Sequence, residues 1–374
     1  MKFAHMADVH IGGWREQELK ELGIKALKKA IRKCIESHTA FILISGDLFN
    51  TALPAIELMR ETAAILREAK DHNISIYMIP GSHDFSPSGK TMLDVLEKSG
   101  LIEIVGKFDE NGKLKFIEDK TGAKITGLLG KKGGLEIKDY QELDKTHLES
   151  EQGFKIWMFH TALTEFKPEN MDKMDSMSSA SLPKNFNYYA GGHVHYIFQK
   201  KQENSLITFP GALFPNNFKE LEEFNHGGFY IVDDKLNYEY IPIKVKDVQT
   251  YFFDANDKTP EDLKQEILNT IKNYEDKIVT IRIEGMLSAG KPIDINFKEI
   301  INQLDSAYYV LKNTSKLTTK EYEEIESDKG NVEEIEQKLI AENIGKMGFM
   351  SEEHEKRLTE ELMDVLNKEK EEGE

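Results

Sequence analysis

Cysteine is all but missing from this chain of 374 residues: Cys34 stands alone, so no internal disulfide can form, as expected of a reducing compartment. Long apolar runs are missing too. Nothing approaches the ~20 consecutive apolar residues of a membrane helix, which excludes a membrane-spanning segment of that kind. No signal-peptide core precedes the strand-like Lys2 to Met6, and these absences together predict a cytoplasmic protein. Internal repeats are lacking, and the charged extreme C-terminus is the one low-complexity tract. An excess of positive charge is lacking as well: 66 acidic against 49 basic residues give a net charge of −17, ordinarily unfavourable for nucleic-acid binding. That acidity is uneven, because residues 317–374 hold 19 acidic and 8 basic side chains, leaving a net −6 for residues 1–316. Basic pairs such as Lys28-Lys29, Arg32-Lys33, Lys131-Lys132 and Lys200-Lys201 could line a groove, although each alone reads as a solvated face. Charge neither demands nor forbids a nucleic-acid substrate.

What is present fits a globular chain, with 39% hydrophobic and 31% charged residues and a mean hydropathy of −0.50. The length suggests two or three domains. Strand and helix alternate in the first half: Phe3 to Val9 extended, Gln17 to Ser37 helical, Phe41 to Ser45 extended, a helix opened by Pro54 with Ile56, Met59, Ala63 and Leu66 at helical spacing, Ser75 to Ile79 extended, and Lys90 to Ser99 helical. Turn signals at Asn111-Gly112, Gly153, Asn204-Ser205 and Asp233-Asp234 then predict antiparallel hairpins added to a parallel core. From about Lys244 a small αβαβ unit follows, with Thr259-Pro260 capping a helix, a strand at Ile278 to Ile283, a helix at Phe297 to Leu304 and a strand at Tyr308 to Leu311. Residues from Asn313 to Asn331 are polar without an apolar period. Two amphipathic helices come after them, split by Gly345, Gly348 and the apolar trio Met347, Phe349 and Met350.

Five segments place metal-ligand side chains where strands end: Asp8-Val9-His10, Gly46-Asp47, Gly81-Ser82-His83-Asp84, His160, and Gly192-His193-Val194-His195. Substrates of α/β sheets bind beyond the carboxyl ends of strands, so one pocket could hold all of them. Taken singly, each is usually a cap or turn residue; the joint pattern carries the weight. Alternation along extended backbone would send Asp8 and His10 to one side, and likewise His193 and His195. Mixed His and Asp ligation without cysteine suits manganese, iron or zinc better than calcium, and the ligands exceed what one ion needs. Two ions about 3.5–4 Å apart can bind a phosphate and activate a water, which predicts phosphoester hydrolysis.

The ordered set resembles the calcineurin-like metallophosphoesterase superfamily, whose pattern runs D-x-H, G-D, G-N-H-[DE], a lone H, then G-H-x-H. Within it, the opening A-D-x-H-x-G, I-S-G-D-L-F-N at 44–50, G-G-H-V-H at 191–195 and F-P-G-A at 209–212 resemble the double-strand-break repair nucleases of the meiotic recombination eleven and SbcD type, most of all archaeal ones. The resemblance implies an α/β fold: a metallophosphoesterase sandwich of two mixed sheets flanked by helices (1–243), a small αβαβ DNA-capping domain (244–313), a linker (314–330) and a C-terminal helical hairpin (331–374).

It further implies two Mn2+ per chain, with Mg2+, Fe2+ or Zn2+ as substitutes. Asp8, His10 and His195 would hold one ion and His160 and His193 the other, with Asp47 bridging. His83 would act on the scissile phosphate as a catalytic residue, its ring oriented by Asp84. The departure is Ser82, which replaces the pattern's asparagine ligand; its hydroxyl could coordinate weakly or through water. The implied activity is 3′-5′ exonuclease and single-strand endonuclease action on DNA ends, at the nucleoid, with a coiled-coil SMC-like ATPase. That partner would dock on Ile335, Leu339, Met347, Phe349, Met350, Leu358, Leu362 and Leu366. A homodimer through helices 56–70 and 90–97 is also implied. The alternatives are a small-molecule phosphodiesterase or phosphatase, and a non-cleaving DNA-end tether with a degenerate metal site.

Overall fold

The computed structural model describes residues 1–84, 91–168, 171, 174–202 and 204–319. In chain order the first half runs β1 (Lys2–Met6), α1 (Gln17–Glu36), β2 (Phe41–Ser45), α2 (Ile56–Asp71), β3 (Ser75–Ile79), α3 (Met92–Lys98), β4 (Glu103–Ile104), β5 (Ile117–Glu118), β6 (Lys124–Gly127), α4 (Glu136–Glu142), α5 (Thr146–Ser150) and β7 (Lys155–His160). There follow β8 (Ala162–Leu163), β9 (Ser176–Met177), β10 (Tyr188–Gly192), β11 (Phe198–Lys201), β12 (Leu206–Phe209), α6 (Phe218–Phe224), β13 (Gly227–Asp233) and β14 (Tyr238–Ile243). The remainder is β15 (Val248–Asp254), α7 (Pro260–Thr270), β16 (Ile278–Leu287), α8 (Phe297–Gln303) and β17 (Tyr309–Thr319).

Two six-stranded mixed sheets result, ordered β14-β13-β1-β2-β3-β4 and β11-β12-β10-β7-β6-β5. Strands β1 to β4 are parallel and the β13–β14 hairpin joins antiparallel beside β1. The second sheet differs from the expected run of hairpins: β12, β10, β7 and β6 are all parallel, and only the edge strands β11 and β5 run antiparallel. The reason is visible in Lys155–His160 (KIWMFH), which is buried at every position, the near-continuous apolar run of a strand covered on both faces.

Alternation decides the layers. On β1, Ala4 and Met6 face the helices, packing with Leu22, Leu27, Ile31, Leu66 and Ala69 of α1 and α2. Phe3 faces the second sheet, packing with Phe41, Tyr77, Ile156 and Tyr188, and stacks on Phe41 at 5.1 Å. His5 shares that inner layer; it is fully buried and bonds the hydroxyls of Tyr188, Thr208 and Ser45. The outer face of the second sheet carries Trp157, Phe159 and Phe209 under Tyr140, Leu148 and Phe186.

The described residues divide into two compact units, one of residues 1–250, 274–280 and 306–311 and one of 251–273, 281–305 and 312–319. The second carries the sheet β15-β16-β17 with α7 and α8. Thr259 and Asp262 form a capping box on α7, with Pro260 as its first residue. Two differences from the sequence reading lie here. Strand β15 precedes the Thr259-Pro260 helix expected to open the unit, and β17 runs on to Thr319, through residues 314–319 at the start of the expected linker. The hairpin residues Ile335, Leu339, Met347, Phe349, Met350, Leu358, Leu362 and Leu366 lie outside the described residues. Among the described residues no helix is long and apolar enough to cross a membrane.

Candidate metal centre

Seven of the residues singled out in the sequence follow parallel strands: Asp8 and His10 after β1, Asp47 after β2, Ser82 and His83 after β3, and His193 and His195 after β10; His160 is the last residue of β7. The topology thereby brings the carboxyl ends of both sheets' central strands to one place. The backbone there is not extended. Asp8, His10, Asp47, His193 and His195 have φ of 51°, 47°, 54°, 90° and 54°, the left-handed region that costs a non-glycine residue on the order of 1–2 kcal/mol. Convergence of Asp8 with His10, and of His193 with His195, is therefore the work of successive bends and not of strand alternation. Backbone bonds lock the bends: Asp8 N–H donates to Gly46 O at 3.1 Å and His10 N–H to Asp47 O at 2.9 Å. Two glycines let the segments meet. A Cβ at Gly46, whose own φ is 89°, would stand 2.1 Å from His160 Nδ1, and one at Gly81 would stand 2.2 Å from Asp47 Oδ1.

Among the described residues, three groups of potential ligand atoms lie within 4.8 Å of one another: Asp8 with His10 and His195, Asp8 with Asp47 and His160, and His10 with Asp47 and His83. Asp8, His10 and Asp47 are each shared by two groups. His10 Nε2 and His195 Nε2 face each other at 3.0 Å, with Asp47 Oδ2 3.6 Å from the first and Asp8 Oδ1 3.8 Å from the second. His193 is in none of the three groups; its backbone N–H donates to the Asp8 carboxylate at 2.9 Å and its ring packs edge-on against His160, 5.1 Å between centroids. Ser82 is buried, and its hydroxyl donates towards Asp47 Oδ2 at 3.4 Å.

A second layer aims the imidazoles. His160 Nδ1 donates to Ser45 O at 2.8 Å, His83 Nδ1 to Asn50 O at 2.9 Å, and His195 Nδ1 lies 2.8 Å from Glu220 Oε1. With Nδ1 engaged, Nε2 is the nitrogen left to face the centre. Asn50 also reaches His10 Nδ1 with its side-chain oxygen at 3.2 Å. Asp84 does not orient His83, as the resemblance had implied. Its carboxylate is turned into the protein, accepting the backbone N–H groups of Leu48, Phe49 and Gly81 at 3.1–3.2 Å, and so ties the Asp47 loop to the His83 loop. Burial and the neighbouring Asp47 charge push it up to about 7 against those three donors.

Glu220, Asn50 and Ser45 were not anticipated. Asn50 ends the I-S-G-D-L-F-N segment, whereas Glu220 reads in sequence only as the third residue after the α6 cap Asn217, and Ser45 contributes a carbonyl, which every residue possesses.

The donor set fits divalent cations. His160 Nε2 is buried without an aligned hydrogen bond, 3.1 Å from Asp47 Oδ2. Burial alone would lower the imidazoles, yet the Asp47 and Asp8 carboxylates outweigh it and raise His160 to about 10, and Glu220 with Asp8 raises His195 to about 9. His193, facing cationic neighbours, is pushed down to about 3 by burial and by His160. Burial would also raise Asp47, but His160 and His10 hold it well below the usual carboxylate range. The cluster thus demands positive charge at its centre and offers imidazole and carboxylate to hold it, the set that suits manganese, iron or zinc; Cys34 is on the buried face of α1, in the core.

The calcineurin-like phosphoesterase family model matches residues 1–196. The chain is 27% identical over 362 residues to the DNA double-strand break repair protein Mre11 of Methanococcus maripaludis, covering 91% of this chain and 90% of that one. It is 24% identical to the protein of the same name from Archaeoglobus fulgidus, covering 96% and 89%. It is 24% identical to that of Sulfolobus acidocaldarius, covering 99% and 96%.

Proposed function

This chain belongs to the calcineurin-like phosphoesterase family, and from that premise we propose that it is a manganese-dependent DNA nuclease that processes double-strand-break ends. The observation that carries the reading is the convergence of six imidazole and carboxylate side chains, Asp8, His10, Asp47, His83, His160 and His195, in three overlapping groups of potential ligand atoms, with the His193 ring packed against His160. Its similarity along almost its full length to relatives named for double-strand break repair supports DNA as the substrate.

Bound divalent ions would polarise the scissile phosphate and lower the pKa of a water. The chain's residues do the rest. Asp8, His10 and His195 would hold one ion and His160 and His193 the other, and the Asp47 carboxylate, 3.6 Å from His10 Nε2 and 3.1 Å from His160 Nε2, would serve both. Ser82 donates to the Asp47 carboxylate and holds its orientation. His83, fixed through Nδ1 by the Asn50 carbonyl, keeps Nε2 for a non-bridging or leaving oxygen of the phosphate, where it would donate a proton as the P–O bond breaks.

A dimer suits the face formed by α2 and α3. Ile56 is 77% exposed and Val95 54% exposed, and with Met59, Ala63 and Leu96 they line an apolar groove of about 570 Å³, a patch that favours cover by a second copy. The C-terminal hairpin would dock on a coiled-coil ATPase.

The test is incubation of the purified chain with end-labelled duplex DNA, single-stranded DNA and a small phosphodiester, in manganese, magnesium, zinc or chelator. Metal-dependent DNA cleavage that chelator abolishes is expected. Turnover of the small diester without DNA products would favour a small-molecule phosphodiesterase, and DNA binding without cleavage would favour a tether.

A further inference from the structure

Beside the metal centre lies a cavity of about 370 Å³, lined on one side by Ser82, His83 and His193 and on the other by the loop from Lys131 to Gly134, with Glu136, Met174 and Asp175 completing it. That volume is at the lower end of small-ligand sites. A phosphodiester reacting between His83 and His193 carries a nucleoside on each side, and this cavity adjoins both histidines. Resting on the nuclease reading above, we propose that it receives the nucleoside flanking the scissile phosphate, and that Lys132 at its rim binds the next phosphate along the strand.

The charges of the loop point to Lys132. Lys131 is neutralised by Asp139 at 2.6 Å, and its backbone N–H donates to the buried Glu136 carboxylate at 3.2 Å. Both therefore serve the loop's own shape. Lys132 is exposed, and among the described residues it is paired with no acidic side chain. Gly133 and Gly134, with φ of 66° and 68°, present backbone where side chains would narrow the cavity. Asp175, exposed beside the loop, lies close enough to Gly134 that a Cβ there would stand 3.1 Å from its side chain. It is suited to accept from a sugar hydroxyl or a base amino group and unsuited to a phosphate. A cavity with one unpaired cation at the rim and a carboxylate inside matches a nucleoside followed by a phosphate better than it matches a phosphomonoester.

The test compares the full chain with Lys132→Ala, Lys132→Glu and Lys132→Arg on three manganese-dependent substrates: a single-stranded oligonucleotide, a dinucleoside monophosphate and a small aryl phosphodiester. Lys132→Ala should raise KM for the oligonucleotide about three- to tenfold and Lys132→Glu more, with Lys132→Arg near wild type. The slope of log affinity against log salt should fall by about 0.7, one phosphate contact on a single strand. Neither of the other substrates, which lack a second phosphate, should change. Unchanged KM and salt slope would overturn the assignment, as would equal losses on all three substrates, which would mean that Lys132 acts on the metal centre. A wild-type chain that turns over only the aryl diester would instead overturn the nuclease reading.

Discussion

Replacing Glu220 with alanine removes the carboxylate 2.8 Å from His195 Nδ1, in a contact whose partners are only 12% and 20% exposed. Two effects on metal affinity oppose each other. Losing a partner that orients a ligand imidazole and raises its basicity typically costs 10- to 100-fold in affinity, about 1.4–2.7 kcal/mol. Against that, Glu220 helps to hold His195 at about 9, so at pH 7 an incoming ion must displace a proton at a cost of about 2.7 kcal/mol; without Glu220 much of that penalty disappears. At pH 7 the two effects largely offset one another, and the variant should show little net deficit. By pH 8.5 the wild-type penalty has largely gone and the deficit should open, growing by up to about twentyfold between the two pH values if His195 returns to its ordinary range. Calorimetric manganese titration at pH 7 and 8.5, without oxygen, reads this directly. Glu220→Gln, which still accepts the hydrogen bond but carries no charge, should fall between. A ratio of dissociation constants that is flat or that shrinks as pH rises would refute the argument.

Other outcomes follow from the same geometry. His83→Ala should keep metal stoichiometry and lose about a hundred- to ten-thousand-fold in cleavage rate; loss of an ion by mass spectrometry would make His83 a ligand of the group it shares with His10 and Asp47. Ser82→Asn should lower the manganese concentration for half-maximal activity by adding an amide oxygen beside Asp47, and an unchanged titration midpoint would remove position 82 from the coordination sphere. In chelator, stability should fall as pH rises from 6.5 to 8.5. His160 and His195 have folded-state values raised to about 10 and 9, so their contribution is complete below about 6.5 and is lost as pH climbs through the folded values, with a slope of at most about 2.7 kcal/mol per unit for two protons. Denaturant melts at fixed temperature test it, and a midpoint rising over that window would contradict the charge pattern. Truncation after Thr319, which leaves β17 whole, should keep metal-dependent cleavage of single-stranded DNA and abolish co-purification with a coiled-coil ATPase; retained binding would take that role from the hairpin.

How much of this was legible beforehand depended on where the information resides. The βαβ alternation through Ile79 was readable because α1 and α2 carry apolar stripes and β1 to β3 are short apolar runs between turn signals. The parallel heart of the second sheet was not, because β6 and β7 are joined by a connection whose helices α4 and α5 span only Glu136–Glu142 and Thr146–Ser150, too short to show a helical period, and the described residues between β7 and β10 form no α-helix. Strand β15 was missed for another reason: Val248–Asp254 (VQTYFFD) puts buried Phe253 next to Phe252, 61% exposed on the other face, so its sequence lacks the apolar–polar alternation of a half-buried strand. At the site, the side chains aimed at the centre sit in short strand-end motifs, but the contacts that aim them are not marked by residue type. Ser45 and Asn50 fall in the 44–50 segment yet orient His160 and His83 through backbone carbonyls, and Glu220 arrives from a helix 25 residues after His195.

The left-handed backbone at five of the candidate ligand positions explains why those motifs are readable at all. A ligand at such a position must satisfy two conditions: an atom that binds a cation, and tolerance of positive φ. Among residues other than glycine, aspartate, asparagine and histidine are the types most enriched in that region, so the residues able to coordinate are also those able to make the bend. A β-branched or bulky apolar residue would fail both conditions. The bends are held by backbone bonds, Asp8 to Gly46, His10 to Asp47 and Leu213 to the Asp8 carbonyl at 3.3 Å, and by the Asp84 carboxylate gathering three N–H groups. None of these bonds involves a ligating side-chain atom. The geometry of the centre is thus set by the fold's backbone, and the strain at Asp8, His10, Asp47, His193 and His195 is met by the sheets beneath them.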